Sequence, residues 1–115
     1  MKLINNTDVQ KFYFQGNFQQ TLAGADQGLK TLEVWRLSLS PGNEIPAYCH
    51  PGEVVALTLK GTGRVEVYGK PITIRPDTTL VIPPGVSRQI FNTGVEDLVL
   101  LLMRGLVPPQ PSELR

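Results

Sequence analysis

Residues 42–61 read GNEIPAYCHPGEVVALTLKG, and this stretch decides the fold. Proline or glycine stands at positions 42, 46, 51, 52 and 61, and an apolar run, Val54–Leu59, lies between the last two of them. A short run of valine and leucine bounded by turn residues is typical of a β-strand rather than of a helix. The stretch therefore predicts turns, then one buried strand, then another turn at Gly61.

The same punctuation continues along the rest of the chain. Proline and glycine recur at intervals of about ten residues, which is typical of an all-β sandwich or barrel. No stretch longer than two helical turns has a clean helical period. Strands are predicted over Thr31–Leu39, Val54–Leu59, Arg64–Tyr68, Leu80–Ile82, Arg88–Phe91 and Leu98–Met103. The fold class is therefore expected to be all-β.

The length of the chain, 115 residues, suffices for one domain with its own core. We expect this single domain, 1–115, to have three parts: an N-terminal arm with strands over 1–30, a barrel over 32–104 and an extended, proline-rich tail over 105–115. Lys11–Phe18 carries three of the four phenylalanines and fits either a strand or an arm packed on a partner. Gly24–Gly28 is interpreted as a hairpin turn.

Composition excludes several classes of protein. A chain with 41% hydrophobic and 18% charged residues folds rather than staying disordered. Its net charge of +1 argues against binding to nucleic acid or to a membrane surface. The one cysteine, Cys49, excludes an intrachain disulfide. No apolar run approaches the ~18 residues of a membrane span, and the first twenty residues lack a signal-peptide pattern, so we expect a cytoplasmic protein.

Two segments resemble the motifs of the cupin superfamily, whose members are small barrels of two packed sheets. The spacing of both motifs, G-xxxxx-H-x-H-xxx-E-xxxxxx-G and G-xxxxx-P-x-G-xx-H-xxx-N, is kept without a gap. Their positions are held by Gly42, Tyr48, His50, Val54 and Gly61, and by Asp77, Pro83, Gly85, Arg88 and Asn92. The resemblance covers roughly residues 32–104 and implies the cupin double-stranded β-helix, a jelly-roll-like barrel.

The resemblance also indicates which chemistry is missing. Metal-binding cupins hold iron, manganese, zinc or nickel with the two His and the Glu of the first motif and the His of the second. Of these ligands only His50 is retained, and Tyr48, Val54 and Arg88 stand in the other places. A neutral phenol is a poor ligand, valine has no donor atom and arginine repels a cation. We therefore expect no metal cofactor.

Strand alternation predicts which side chains face the barrel interior. Successive residues of a strand point to opposite faces, so the family's ligand places set the inward parity of both strands. The predicted ligand-binding residues are Tyr48, His50, Val54, Ala56, Thr58, Arg88 and Ile90. They combine a phenol, an imidazole and a guanidinium with an apolar wall, which is the usual composition of a small-molecule site.

Arg88 has two interpretations that the sequence leaves open. A guanidinium is always charged and presents a planar fork of donors suited to carboxylate or phosphate. Buried without a partner it costs several kcal/mol, so an anion must pair with it. That anion is either a ligand or a protein acid at the barrel mouth, for which the candidates are Glu33, Glu44 and Glu53.

His50 and Tyr48 are the candidate catalytic residues, because they are neighbours on the same strand face. The pair fits binding of a hydroxyl or carbonyl group, or general acid–base catalysis, or for His50 a hydrogen-bonded place in the core. Trp35 and Tyr68 are interpreted as core or interface residues first and as borders of the pocket second.

The sequence leads to one main function and two alternatives. The main one is a small-molecule-binding cupin whose pocket suits a small anionic or polyhydroxylated ligand. The alternatives are a sugar isomerase, epimerase or cyclase that uses His/Tyr acid–base chemistry, and a metal-dependent oxygenase with ligands outside the motifs. Several strands are apolar on both faces, including Val54–Leu59 and Leu98–Met103, so we expect their outer face to be covered by the N-terminal arm or by another subunit. Because cupins are commonly dimers, the resemblance implies a homodimer.

Overall fold

The computed structural model describes residues 1–106, in which the chain forms ten β-strands and two short 3-10 helices, Asn6–Asp8 and Ala25–Gln27. The strands are β1 Phe12–Phe14, β2 Asn17–Ala23, β3 Leu32–Leu39, β4 Glu44–Cys49, β5 Val54–Lys60, β6 Gly63–Val67, β7 Lys70–Ile74, β8 Thr78–Ile82, β9 Ser87–Asn92 and β10 Leu98–Gly105. Within this part of the chain no helix has the length and apolar character needed to cross a membrane.

The strands form two antiparallel sheets that pack face to face. The larger sheet has the order β1-β2-β3-β10-β5-β8 and the smaller one the order β4-β9-β6-β7. Strand β10 lies at the centre of the larger sheet, where Leu100 is opposite Leu37 of β3 and Thr58 of β5. Strands adjacent in the chain often lie in different sheets, as β5 and β6 do. The predicted all-β, jelly-roll-like barrel is therefore confirmed.

The core fills the space between the inward faces of the two sheets. Alternate residues of β10 are fully buried, whereas the residues between them lie on the outer face. The buried apolar cluster consists of Leu37, Leu39, Ala56, Val65, Ile74, Ile90, Leu98, Leu100 and Leu102. Each fully buried Leu or Ile side chain contributes roughly 1.5–3 kcal/mol of hydrophobic stabilisation, so this layer holds the sheets together.

The predicted strands agree with the observed ones to within two residues at each end. The N-terminal Lys11–Phe18 segment is a hairpin of β1 and β2 at the edge of the larger sheet. The segment Gly24–Gly28 contains a 3-10 turn and joins the paired strands β2 and β3. The predicted tail starts at residue 105, yet Gly105 is the last residue of β10. Its prolines, Pro108, Pro109 and Pro111, lie outside the described residues.

Strands β4 and β7 were not predicted, and both contain a proline. Pro46 lies in β4 and Pro71 in β7, and proline lacks the N–H group that a central strand requires. Both strands are the outer ones of the smaller sheet, where a missing donor is tolerated. Prolines in this chain therefore lie within edge strands as well as in turns.

The structure explains the residue type at two positions of the second motif. Asp77, which stands where the second motif begins with glycine, has φ +64°, a left-handed conformation that aspartate tolerates better than most residues. Asn92, which closes that motif, is buried and donates its amide to Leu39 O at 2.8 Å and Glu96 O at 2.9 Å. Asn92 therefore ties the end of β9 to the larger sheet.

Candidate functional site

A cavity of about 430 Å³ lies between the two sheets and is open to solvent on one side. The larger sheet lines it with Gln19, Trp35, Leu37, Leu102 and Arg104. The smaller sheet lines it with Ile45, Pro46, Ala47, Tyr48, Arg88 and Ile90. The wall is mostly apolar with a few polar groups, which is the composition expected of a small-molecule site.

An irregularity in β4 shapes the wall of the cavity. Ile45 pairs with Ile90 and Tyr48 pairs with Arg88, so β4 has one residue more than β9 between these two pairs. A bulge of this kind re-aims side chains and is frequent next to binding sites. Without it, Ile45 and Tyr48 would lie on opposite faces of the strand. With it, both line the cavity.

Arg88 is the central polar group of the cavity. Its side chain is 5% exposed, and among residues 1–106 no carboxylate oxygen lies within 4.0 Å of it. Its hydrogen bond within this part of the chain goes to Tyr48 O at 3.5 Å. Burial lowers the pKa of the Arg88 guanidinium below its ordinary value; Tyr48 partly opposes this effect, and the nearby Arg104 cation adds to it. The charge is therefore desolvated and uncompensated.

Glu33 pairs with the other arginine of the cavity. Arg104 and Glu33 are opposite each other on β10 and β3, and Arg104 Nε donates to Glu33 Oε1 at 2.8 Å. Their side chains are 12% and 17% exposed. Of the three acids that the sequence offered to Arg88, Glu33 is thus engaged elsewhere, and neither Glu44 nor Glu53 lies within ion-pair distance of Arg88.

Tyr48 connects Arg104 to His50 at the mouth of the cavity. Arg104 Nη1 donates to Tyr48 Oη at 3.1 Å, and Tyr48 Oη lies 3.5 Å from His50 Nδ1. His50 Nε2 is 2.9 Å from Gly105 O, and because a carbonyl only accepts, Nε2 carries the ring proton and donates it. Nδ1 is then the acceptor that faces the phenol. His50 is buried, whereas Tyr48 is 43% exposed.

Trp35 adds a donor without an acceptor. Its ring lines the cavity beneath Arg104, whose guanidinium carbon is 3.9 Å from the ring centroid. Its Nε1 is buried and has no hydrogen-bond partner among residues 1–106. An unpaired buried donor costs roughly 1–3 kcal/mol. Arg88, Arg104 and Tyr48 make the cavity wall rich in donors.

The predicted ligand-binding residues separate into two groups. Tyr48, Arg88 and Ile90 line the cavity. The others are buried in the barrel outside its lining; they are His50, Val54, Ala56 and Thr58. Tyr68, whose second interpretation from the sequence was a border of the pocket, lies in the turn between β6 and β7 and is 74% exposed.

Sequence reasoning missed Arg104 and interpreted Trp35 first as a core or interface residue. Arg104 carries a readable signal, because it continues the inward series Leu98, Leu100, Leu102 by strand alternation. Trp35 has the same parity as the buried Leu37 and Leu39. The inward parity of both residues was present in the sequence, but their distance from the motifs concealed it.

The four side chains in the family's ligand places do not fit a divalent metal. Val54 has no donor atom, Arg88 is a cation, and the Nε2 of His50 is already engaged with Gly105 O. Among the residues described, no group of three His, Cys, Asp or Glu is arranged to hold a metal ion. The absence of a metal cofactor stays a prediction.

Comparison with known proteins assigns the family. Residues 35–104 match the family model described as the Cupin domain, which is more than half of the chain. The chain belongs to the cupin family. Among solved structures, the barrel of this cupin superposes on the polyketide cyclase RemF from Streptomyces resistomycificus with a TM-score of 0.83, at 18% identity, over 96% of this chain and 82% of that one. At that identity the likeness shows the fold alone.

Curated relatives of this cupin include plant auxin-binding proteins. Auxin-binding protein 1 of Arabidopsis thaliana is 36% identical over 98 residues, which are 76% of this chain and 50% of that protein. Auxin-binding protein T85 of Nicotiana tabacum is 34% identical over 95 residues, 72% of this chain and 51% of that protein. The chain thus spans about half the length of these relatives. The names of these relatives record that those proteins bind auxin.

Proposed function

We propose that this cupin binds a small organic anion, whose carboxylate pairs with Arg88 and whose apolar body fills the cavity. The observation that carries the proposal is the buried guanidinium of Arg88, which has no carboxylate within 4.0 Å among residues 1–106. Charge-assisted hydrogen bonds from arginine to a carboxylate are short and strong, and the fork of arginine suits bidentate recognition. A ligand carboxylate would supply the missing counter-charge.

The surroundings of Arg88 support an acid with an apolar body rather than a sugar. Leu37, Ile45, Ile90 and Leu102 line the cavity, and they offer nothing to the many hydroxyls of a polyhydroxylated ligand. The polar groups of the wall are mainly donors, which suit the acceptor oxygens of a carboxylate. The names of the auxin-binding relatives agree with such a ligand, because auxins as a chemical class are aromatic carboxylic acids.

The test compares two probes of nearly equal shape by isothermal titration calorimetry. Indole-3-acetate carries a carboxylate, whereas indole-3-acetamide carries a neutral amide in the same place. We expect the carboxylate to bind at least about tenfold more tightly, because a hydrogen bond to a charged group contributes about 1.5–3 kcal/mol. Arg88→Met should remove this preference. Equal affinity for the two probes, or an unchanged preference in Arg88→Met, would contradict the proposal.

A second candidate function is proton transfer at Tyr48. Its hydroxyl lies between Arg104 Nη1 at 3.1 Å and His50 Nδ1 at 3.5 Å, so Nδ1 is placed to accept the phenol proton. The resulting phenolate would take the proton from the carbon next to a substrate carbonyl, and the re-formed phenol, after exchange with solvent, would return a proton to that carbon. The test is deuterium incorporation from D₂O next to the carbonyl of small keto acids, followed by NMR. Tyr48→Phe should abolish it and Tyr68→Phe, at an exposed turn, should not. No incorporation in the wild type would contradict this candidate.

We also propose that the protein is a homodimer. The outer face of β5, β8 and β10 carries the apolar residues Val55, Leu57, Leu59, Val81 and Leu101, of which Leu59 and Val81 are exposed. The first residues of the N-terminal arm, 1–10, cover a different part of this sheet. Gln20 of β2 is buried beneath them and donates to Asn6 O and Val9 O. A second copy of the chain is the expected cover for the remaining apolar face.

A further inference from the structure

We infer that Glu33 limits the number of carboxylates that a ligand of the cavity can carry. With Glu33 in place, the cavity accepts a monocarboxylate with an apolar body and rejects a dicarboxylate. The inference rests on the proposed anion-binding function and adds to it a residue that controls specificity. It comes from the different partners of the two arginines that line the cavity. Arg104 is held by Glu33, whereas Arg88 has no carboxylate within 4.0 Å among residues 1–106.

Glu33 lies beside Arg104 on the inward face of the larger sheet, outside the lining of the cavity. Glu33 lines a second, polar cavity together with Asp8 and Asp26, and it is not part of the lining around Arg88. Its Oε1 accepts from Arg104 Nε at 2.8 Å, and both side chains are largely buried. A ligand in the cavity therefore meets Arg104 as one half of a closed ion pair.

The pairing leaves one uncompensated positive charge at the cavity. A ligand with one carboxylate cancels the charge of Arg88. A second carboxylate would lose its hydration in the apolar cavity, and its remaining cation, Arg104, is already occupied by Glu33. Because Arg104 also donates to Tyr48 Oη at 3.1 Å, moving it toward a second carboxylate would break two contacts. The arrangement thus selects by charge as well as by shape.

The experiment compares phenylacetate with phenylmalonate, which differs by one added carboxylate. The readout is the fluorescence of Trp35, the one tryptophan of the chain, whose ring lines the cavity. In the wild type we expect phenylacetate to bind at least about tenfold more tightly than phenylmalonate. In Glu33→Gln, Arg104 is free for the second carboxylate, and the ratio of the affinity for phenylacetate to the affinity for phenylmalonate should fall by at least about tenfold. In Glu33→Gln/Arg104→Gln, which restores the single uncompensated charge, it should return to the wild-type value.

Glu66→Gln is the matched control. Glu66 accepts from Arg64 Nε at 3.1 Å, so this variant breaks another arginine–glutamate pair, one that lies outside the cavity lining. The ratio of its affinities for phenylacetate and phenylmalonate should equal that of the wild type. If Glu33→Gln does not fold, Arg104→Gln takes its place: the free Glu33 carboxylate should then weaken phenylacetate binding at least about threefold.

The outcomes separate this inference from the function on which it rests. If phenylacetate binds but Glu33→Gln leaves the ratio unchanged, or Arg104→Gln leaves phenylacetate binding unchanged, the role of Glu33 is overturned and anion binding at Arg88 stands. If neither probe binds the wild type and indole-3-acetate fails as well, the proposed function falls and the role of Glu33 falls with it.

Discussion

The guanidinium carbon of Arg88 lies 4.7 Å from the ring centroid of Tyr48, and this contact differs from the other arginine–aromatic contacts of the barrel. Arg64 and Arg104 also lie over aromatic rings, at 4.4 and 3.9 Å, but each of them is additionally paired with a glutamate. Arg88 is the most buried of the three and has no such pair among residues 1–106. A cation–π contact alone is worth about 0.5–2 kcal/mol, which is less than the cost of burying the charge.

Arg88→Met should therefore stabilise the ligand-free protein while it removes the preference for a carboxylate ligand. Methionine fills a similar volume without the desolvated charge, and we expect the free energy of unfolding in urea to rise by about 1 kcal/mol. Burial lowers the pKa of Arg88, so the charged folded state carries a cost at every pH below that pKa, and the cost fades only as the pH rises through it. The gain should thus be constant between about pH 5 and 9.

Arg64→Met is the matched control for this stability measurement. Arg64 also lies over an aromatic ring but donates to Glu66 and is on the outer face of the sheet, since its neighbour Val65 is buried in the core. We expect a change within about 0.5 kcal/mol, as for most surface substitutions. A loss of stability in Arg88→Met greater than that in Arg64→Met would mean that Arg88 is a structural residue.

His50→Ala should lower the free energy of unfolding by about 2 kcal/mol. The substitution removes a buried ring and leaves Gly105 O without the donor that lies 2.9 Å from it. Urea denaturation measures the change, and Cys49→Ala, at the exposed neighbouring position, is the control with an expected effect within about 0.5 kcal/mol. A His50→Ala protein as stable as the control would show that the bond to Gly105 contributes nothing.

Metal analysis checks the prediction about the family's ligand places. After purification without chelator, elemental mass spectrometry of the untagged protein should find iron, manganese, nickel and zinc far below one atom per chain. Added Zn²⁺ or Mn²⁺ should leave the melting temperature unchanged, because His50 is engaged and Val54 and Arg88 cannot ligate. Near-stoichiometric metal would contradict this prediction and would favour the oxygenase alternative.

The fold and the inward parity of the cavity residues were readable from the sequence, whereas the contacts between those residues were not. The turn residues and the apolar alternation gave the strands, and the motif spacing gave the inward parity of Tyr48 and Arg88. The pairing of Arg104 with Glu33 joins residues 71 positions apart, and only the register of β3 with β10 brings them together. Strand parity tells whether a side chain points inward, but not whether it lines the cavity or is packed in the core. For this reason the sequence could not distinguish the buried His50 from Tyr48, which lines the cavity.

Gly61→Ala should destabilise the barrel far more than Gly69→Ala. Both glycines have positive φ, +84° and +76°, and share the cost of a left-handed conformation, roughly 1–2 kcal/mol for alanine. A Cβ at Gly61 would also lie 2.5 Å from Asp97 O, whereas nothing lies within 4 Å at Gly69. We expect the two variants to differ by at least about 2 kcal/mol in thermal or urea unfolding. Equal losses would mean that the backbone at Asp97 yields to the new methyl group.

Light scattering tests the proposed dimer. At micromolar concentration the wild type should have the mass of two chains, and Val81→Lys should have the mass of one. Val81 is 66% exposed on β8, the edge strand of the larger sheet, and a lysine there places a charge on the apolar outer face and discourages pairing of edges. Tyr68→Lys, at an exposed turn of the smaller sheet, is the control and should remain dimeric. A monomeric wild type would contradict the dimer, and a dimeric Val81→Lys would move the contact to another face.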